Sequence, residues 1–251
     1  MKIVVIGGSG LIGTQLVDRL SKLGHEVIAA SPATGVNTLT GEGLLEALNR
    51  TDVVVDVANS PSFEDKAVMN FFEVSGRNLF QVEKKCKIKH HVALSVVGTD
   101  RLQESGYLRA KQTQENLIKD SGILYSIVHS TQFFEFLGGI AATATEGGVV
   151  RLSSAKIQPI ASSDVAAMMA DVIVGSPLND IIEIAGPDQF SLAEIVQLYL
   201  QKNNDPRKVT VDNHARYYGA ELTDQMLLPG GNARIGKINF DTWYVNQPKK
   251  P

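Results

Sequence analysis

The chain has 251 residues, 43% hydrophobic and 20% charged, the balance of an ordinary globular protein with a substantial core. A formal net charge of −3 gives no general attraction to nucleic acid or anionic membranes, and neither is expected as a partner. The single cysteine, Cys86, excludes an internal disulfide; no secretory leader and no bilayer-length apolar run is read, so a cytoplasmic protein is expected.

Strand-like runs alternate with helical patterns from the first residues. Residues 2–6 form an apolar β-branched run, and residues 11–23 place Leu11, Leu16, Leu20 and Leu23 at helical spacing. A strand is expected at 27–30, a polar loop to about 40, a short helix at 44–49 and a third strand at 53–57. Helices at 65–86 and 108–121 then alternate with strands at 92–96 and 125–128. Parallel neighbours need a crossover, so this order predicts βαβ units. The strands are continuously apolar, as expected where helices cover both faces, and the fold class is α/β with a doubly wound parallel sheet.

Beyond Gln132 the pattern loosens. Gly138-Gly139 and Gly147-Gly148 punctuate it, Ser162 or Ser163 reads as the N-cap of a helix to Val174, and a strand follows at 181–185. Ser191 caps a helix to about Lys202, and 209–211 is a short strand. No linker divides the chain, so residues 1–251 are expected to form a single domain, with a core over about 1–132 and a small C-terminal lobe over about 133–251.

Between the first strand and helix stand Gly7, Gly8, Ser9, Gly10, Leu11, Ile12 and Gly13. This run fits G-x-x-G-x-x-G and, from Gly8, G-x-G-x-x-G. Such a turn lets backbone approach a pyrophosphate, while the free N–H groups of the helix N-terminus face the anion. Its place at the first strand–helix junction gives the pattern its weight. The end of the second strand, Ile28-Ala29-Ala30-Ser31-Pro32, lacks the acid that usually binds the ribose hydroxyls of NAD. This favours NADP over NAD, with Ser31 and Thr34 as hydrogen-bond donors and Arg19 or Lys22 as a source of positive charge.

Tyr107 and Lys111 stand four residues apart on a predicted helix, on one face. A neighbouring ammonium favours the phenolate and would bring the tyrosine toward working pH as a general acid/base. Ser95 ends the strand twelve residues earlier, at the carboxyl edge where ligands of open α/β sheets lie, and is placed to hold a substrate oxygen. His129, Gln132, Phe133 and Phe134 follow the next strand and are expected to line the substrate pocket.

With these residues the chain resembles the atypical, NmrA-like branch of the short-chain dehydrogenase/reductases. Further landmarks are Asp56-Val-Ala-Asn59, Ile157-Gln-Pro-Ile160, Asp164-Val-Ala, Ile184-Ala-Gly-Pro187 and Ser191-Leu-Ala-Glu194. The resemblance implies a Rossmann-type fold whose first part binds the cofactor and whose C-terminal lobe covers the substrate. It implies that Ser95 orients a carbonyl, Tyr107 exchanges its proton, and Lys111 tunes Tyr107 and binds ribose. Val57, Ala58 and Asn59 would lie along the adenosine and ribose. Two positions depart from the pattern: Phe71-Phe72-Glu73 stands where a helix asparagine belongs, and His129-Ser130-Thr131 where relatives often carry Arg-Pro.

The expected function is NADP-dependent reduction of a carbonyl or similar unsaturated group of a small apolar molecule. The alternative is an NADP-sensing regulatory protein without turnover. Tyr217, Tyr218 and residues 226–229 are candidates to close the pocket. His90-His91, beside Lys84, Lys85, Lys87 and Lys89, reads as a solvated helix end, Asp164 as a capping residue, and no metal site is expected.

Overall fold

A computed structural model describes residues 1–247. The chain runs β1 (Lys2–Ile6), α1 (Leu11–Lys22), β2 (Glu26–Ala30), α2 (Leu44–Leu48), β3 (Val53–Asp56), α3 (Asp65–Cys86), β4 (His90–Val96), α4 (Gly106–Asp120) and β5 (Tyr125–Ser130). It continues through α5 (Leu137–Thr143), β6 (Thr145–Glu146), β7 (Val149–Leu152), β8 (Lys156–Ile157), α6 (Ser162–Val174) and β9 (Asp180–Ala185). The remainder is β10 (Phe190–Ser191), α7 (Leu192–Lys202), β11 (Lys208–Val211), β12 (Arg234–Ile235) and α8 (Phe240–Val245).

Seven parallel strands form the central sheet in the order β12-β9-β5-β4-β3-β1-β2. The chain leaves β1 toward β2 and returns to β3 on the other side of β1. The strand order therefore reverses between β1 and β3, and the crevice outside their carboxyl ends is where doubly wound sheets bind ligands. Pleating sends Ile3 and Val5 to one face, with α1 and α6, and Val4 and Ile6 to the other, against α2 and α3. This double coverage explains the unbroken apolar strands. It makes the fold a Rossmann-type α/β sheet.

The C-terminal part does more than cover the sheet. β9 pairs with β5 and β12 with β9, so the loosely patterned half supplies two strands of the central sheet. The rest packs as a separate layer around Phe134, Leu137, Ile140, Leu192 and Trp243, with small sheets β11-β7-β6 and β10-β8. Ser191 caps α7 in a reciprocal capping box with Glu194. For α6 the N-cap is Ala161, one residue before the expected serines. Asp164 instead accepts the backbone N–H groups of Lys237 and Ile238, both at 2.8 Å, and so fastens the segment before α8. Among the described residues no helix is long and apolar enough to cross a membrane.

His90 and His91 are not a solvated helix end. They open β4 and are buried. Two lysine-rich turns precede them, but the strand itself pairs between β3 and β5, which takes both imidazoles out of water. His91 Nδ1 lies 2.8 Å from Glu83 Oε1. Burial opposes its charge, and the Glu83 carboxylate outweighs burial and holds its pKa above the ordinary value. His90 meets the Ser126 hydroxyl at 2.8 Å, and burial, with repulsion from His91, pushes its pKa down to about 4. The folded chain thus keeps His90 neutral while an unfolded chain protonates it near pH ~6.5. Its contribution to stability is complete above that pH and is lost as pH falls toward 4. Urea denaturation between pH 7.5 and about 4.5 is expected to show this loss, on the order of 2 kcal/mol, and His90→Gln to flatten it.

Candidate active site

The glycine turn is fastened to β2: the N–H groups of Gly7 and Gly8 both donate to the Ala30 carbonyl, at 2.9 and 3.2 Å. Gly7 has φ +80°, a left-handed conformation that glycine adopts without strain, and a Cβ there would stand 2.8 Å from the Ala58 backbone. A Cβ on Gly8 would stand 2.7 Å from Ala29 Cα, and one on Gly13 would overlap the Gly7 carbonyl oxygen. The three glycines therefore let the turn, the start of α1 and the segment after β3 touch backbone to backbone. Gly10 caps α1 without a side-chain hydrogen bond, no acid stands in the first turn, and Ser9, Gly10 and Leu11 are exposed. Free N–H groups at a positive helix end make this turn fit for a pyrophosphate.

At the end of β2 the expected donors differ in role. Thr34 is consumed by its own turn: its hydroxyl accepts from Ser31 N at 2.9 Å and lies 3.0 Å from the Ala29 and Ser31 carbonyls. Ser31 keeps a buried hydroxyl with no partner. Arg19 and Lys22 occupy the last turn of α1, about 9 and 14 Å along the helix beyond Gly13, and Lys22 pairs with Asp18 at 2.7 Å. They bring no charge to Ser31, because the helix that carries them runs away from the crevice.

Tyr107 stands in the first turn of α4 within an aromatic group. Its ring centroid lies 5.6 Å from Phe63 and 6.3 Å from Phe72, and Phe63 lies 6.0 Å from Tyr218. Tyr217 and Tyr218 thus do reach this crevice, edge to face at 4.8 Å. Burial pushes the Tyr107 phenol up to about 12, Tyr218 adds to the shift, and the Asn59 side chain at the hydroxyl partly offsets it.

Lys111 does not act on Tyr107 as expected. Its Nζ donates to the Leu94 carbonyl at 2.9 Å and to Gln114 Oε1, and sits 4.6 Å from the centre of the Phe72 ring. Burial pushes its pKa down to about 8 against the pull of Asp56 and Glu115. With two of its three donors held by the Leu94 carbonyl and Gln114 and its charge against the Phe72 ring, the ammonium is directed to α4, β4 and an aromatic face and does not lower the tyrosine.

Ser95 is also elsewhere. Its hydroxyl donates to Glu115 Oε1 at 2.6 Å, and His129 Nε2 meets the same oxygen at 2.8 Å. Ser95 and His129 are register partners on β4 and β5 and so share one sheet face, where Glu115 of α4 packs. Glu115 lies eight residues beyond Tyr107, about 12 Å along the helix. This separates the serine from the phenol and takes His129 out of the substrate pocket. Burial resists the Glu115 charge, but His129, Ser95 and Lys111 together hold its pKa below the ordinary value.

Phe134 is core, not pocket lining: it is wholly buried against Phe240 and Trp243, at 5.7 and 5.2 Å. Phe133 is buried too, stacked at 5.1 Å on the half-exposed Phe136. Gln132 keeps a buried Oε1 without a partner. Asp56, a landmark of the resemblance, ends β3, and Phe72, in the helix segment that departs from the pattern, stands beside Tyr107. Residues unnoticed in the sequence complete the site: Gln114 and Glu115 share the helix face of Tyr107 and Lys111 at spacings of three, four, seven and eight, a repeat that would have found them. Phe63 carries no such signal, because only tertiary contact brings it to Tyr107.

The family described as NAD dependent epimerase/dehydratase matches residues 3–122, which hold the glycine turn, β3, β4, Tyr107 and Lys111. The photosystem II assembly factor Ycf39 of Cyanophora paradoxa is 24% identical over 84% of this chain and 71% of that protein. The chloroplastic divinyl chlorophyllide a 8-vinyl-reductase of Arabidopsis thaliana is 28% identical over 74% of this chain; the chain spans about half of that enzyme, 54%. Among solved structures, the NADPH-dependent quinone oxidoreductase of Escherichia coli, complexed with NADPH, superposes with a TM-score of 0.65 at 21% identity, over 85% of this chain and 78% of that one. With the glycine turn at the reversal of a seven-stranded parallel sheet, the first half of the chain is similar to the NAD dependent epimerase/dehydratase family, and the whole has the fold of NAD- and NADP-binding proteins.

Proposed function

We propose that this protein is an NAD(P)-dependent reductase, with NADP preferred, acting on an unsaturated group of a small apolar molecule. The observation that carries the reading is the glycine turn itself: where the strand order reverses, its backbone meets that of Ala58 after β3 and Ala29 in β2 with no room for a Cβ at Gly7, Gly8 or Gly13. Residues 7–13 would hold the pyrophosphate, residues 57–59 the adenosine side, and Ser31 the region of the 2′-phosphate, where no acid repels it. A bound nicotinamide supplies hydride; the chain supplies position, exclusion of water and a proton.

Tyr107 is suited to give that proton as a neutral acid. A phenol near 12 stays protonated at working pH, and the rings of Phe63 and Phe72 stand beside it. Apolar walls of this kind favour apolar substrates. The divinyl chlorophyllide reductase and the quinone oxidoreductase, by their names, reduce such molecules, which supports the reading. The second reading, nucleotide binding without turnover, is favoured by one observation: Lys111 is tied away from Tyr107, so the pair lacks its usual coupling. Relatedness to an assembly factor is consistent with that reading.

A panel of quinones, enones and carbonyl compounds with NADPH separates the two. Turnover by the wild type, reduced about 10²–10⁴-fold in Tyr107→Phe, is the expected result; dinucleotide binding without turnover on any substrate favours the sensor, and undiminished turnover in Tyr107→Phe overturns the role of the phenol. Because Ser95 serves Glu115, Ser95→Ala is expected to cost about 1–2 kcal/mol in urea denaturation and to leave turnover within about twofold. A large loss of turnover at full stability would return Ser95 to the chemistry.

A further inference from the structure

The donors of Lys111 lead away from the reacting atoms and toward the nucleotide loop. Lys111 Nζ donates to Gln114 Oε1; Gln114 Nε2 donates to Asp56 Oδ2 at 2.8 Å; and Asp56 Oδ1 accepts Ala58 N at 3.1 Å. Lys111 and Gln114 are each 3% exposed and Asp56 7%. At the far end, Ala58 is the residue whose backbone a Cβ on Gly7 would strike. The line of hydrogen bonds thus runs from α4 across β3 to the contact between the glycine turn and residues 57–59.

Its polarity is forced. An ammonium only donates and a carboxylate only accepts, so the amide between them turns its oxygen to Lys111 and its nitrogen to Asp56. Asp56 Oδ2 is thereby held by Gln114, which leaves Oδ1 aimed at Ala58. Without Gln114 both the ammonium and the carboxylate lose a buried partner, and a buried charge without partners is expelled or neutralised.

We propose that Lys111 and Gln114 are positioning residues for nucleotide binding: through Asp56 they set residues 57–59 against the glycine turn, and Lys111 acts on the adenosine half of the cofactor without touching it. The proposal rests on the reading that residues 7–13 and 57–59 hold a dinucleotide. It differs from a direct contact between this lysine and the nicotinamide ribose, which would leave an adenosine fragment indifferent to the lysine.

The test is calorimetric titration of the full chain with NADPH, NADH, adenosine 2′,5′-bisphosphate and ADP, the last two carrying only the adenosine half. Lys111→Met, Gln114→Leu, Gln114→Glu and Asp56→Asn are each expected to weaken the fragment and the dinucleotide alike, by about tenfold. Combining Gln114→Glu with Asp56→Asn reverses the polarity of one link while satisfying every partner: the introduced carboxylate accepts from Lys111, and the introduced amide donates to it while its oxygen keeps Ala58. This double variant is expected to recover binding to within about threefold of wild type, a rescue that space-filling alone does not produce. Variants that weaken only the dinucleotides, that bind like wild type, or that the double variant fails to rescue overturn the proposal while leaving the functional reading intact. A wild type that binds neither dinucleotide nor fragment overturns both. Circular dichroism of each variant, with Gln114→Glu conserving size where Gln114→Leu does not fold, keeps loss of structure apart from loss of binding.

Discussion

The structure depends on one close approach. Where the strand order reverses, the backbone of the glycine turn meets Ala58 after β3 and Ala29 in β2 at distances that leave no room for side chains. Three short strands, one helix N-terminus and two loops converge there. Any Cβ on Gly7, Gly8 or Gly13 would push one of them outward, and with it the surface on which an anion could rest. The apolar strands and their two helical layers serve to bring these backbones together at fixed separation.

Around this point the protein buries several titratable groups and joins them in lines of hydrogen bonds. One line joins Lys111, Gln114, Asp56 and Ala58; another joins Ser95, His129 and Glu115; a third pairs Glu83 with His91. Each ties α3 or α4 to the strands beneath. Buried groups of this kind contribute little net stability when paired, but breaking one partner leaves the other uncompensated. They act as constraints on position, and α4, which carries the phenol, receives two of the three.

The familiar spacing of tyrosine and lysine therefore means something different here from what it implies in isolation. The spacing brings both residues to one helix face, as expected. What the ammonium does there depends on which acceptors the fold supplies, and it is held by the Leu94 carbonyl, Gln114 and the Phe72 ring. The phenol, walled by aromatic rings, moves up in pKa instead of down.

Much of the fold was legible in the chain because its signals are local. Strand, turn and helix alternate at short range, and the glycines stand at the one junction where their missing side chains matter. The positions of Tyr107, Lys111 and the end of β3 follow from helix and strand periodicity alone. Ser95, His129 and Phe134 stand near strand ends, which in the sequence points to the crevice, but position along a strand does not decide which face a side chain takes or what packs on it. Only the docking of α4 gave Ser95 and His129 to Glu115, and only the layer built with α8 drew Phe134 inward. Local sequence determined which backbone could bind a phosphate; tertiary packing decided the partners of each buried polar group, because a donor takes the nearest acceptor that the fold supplies.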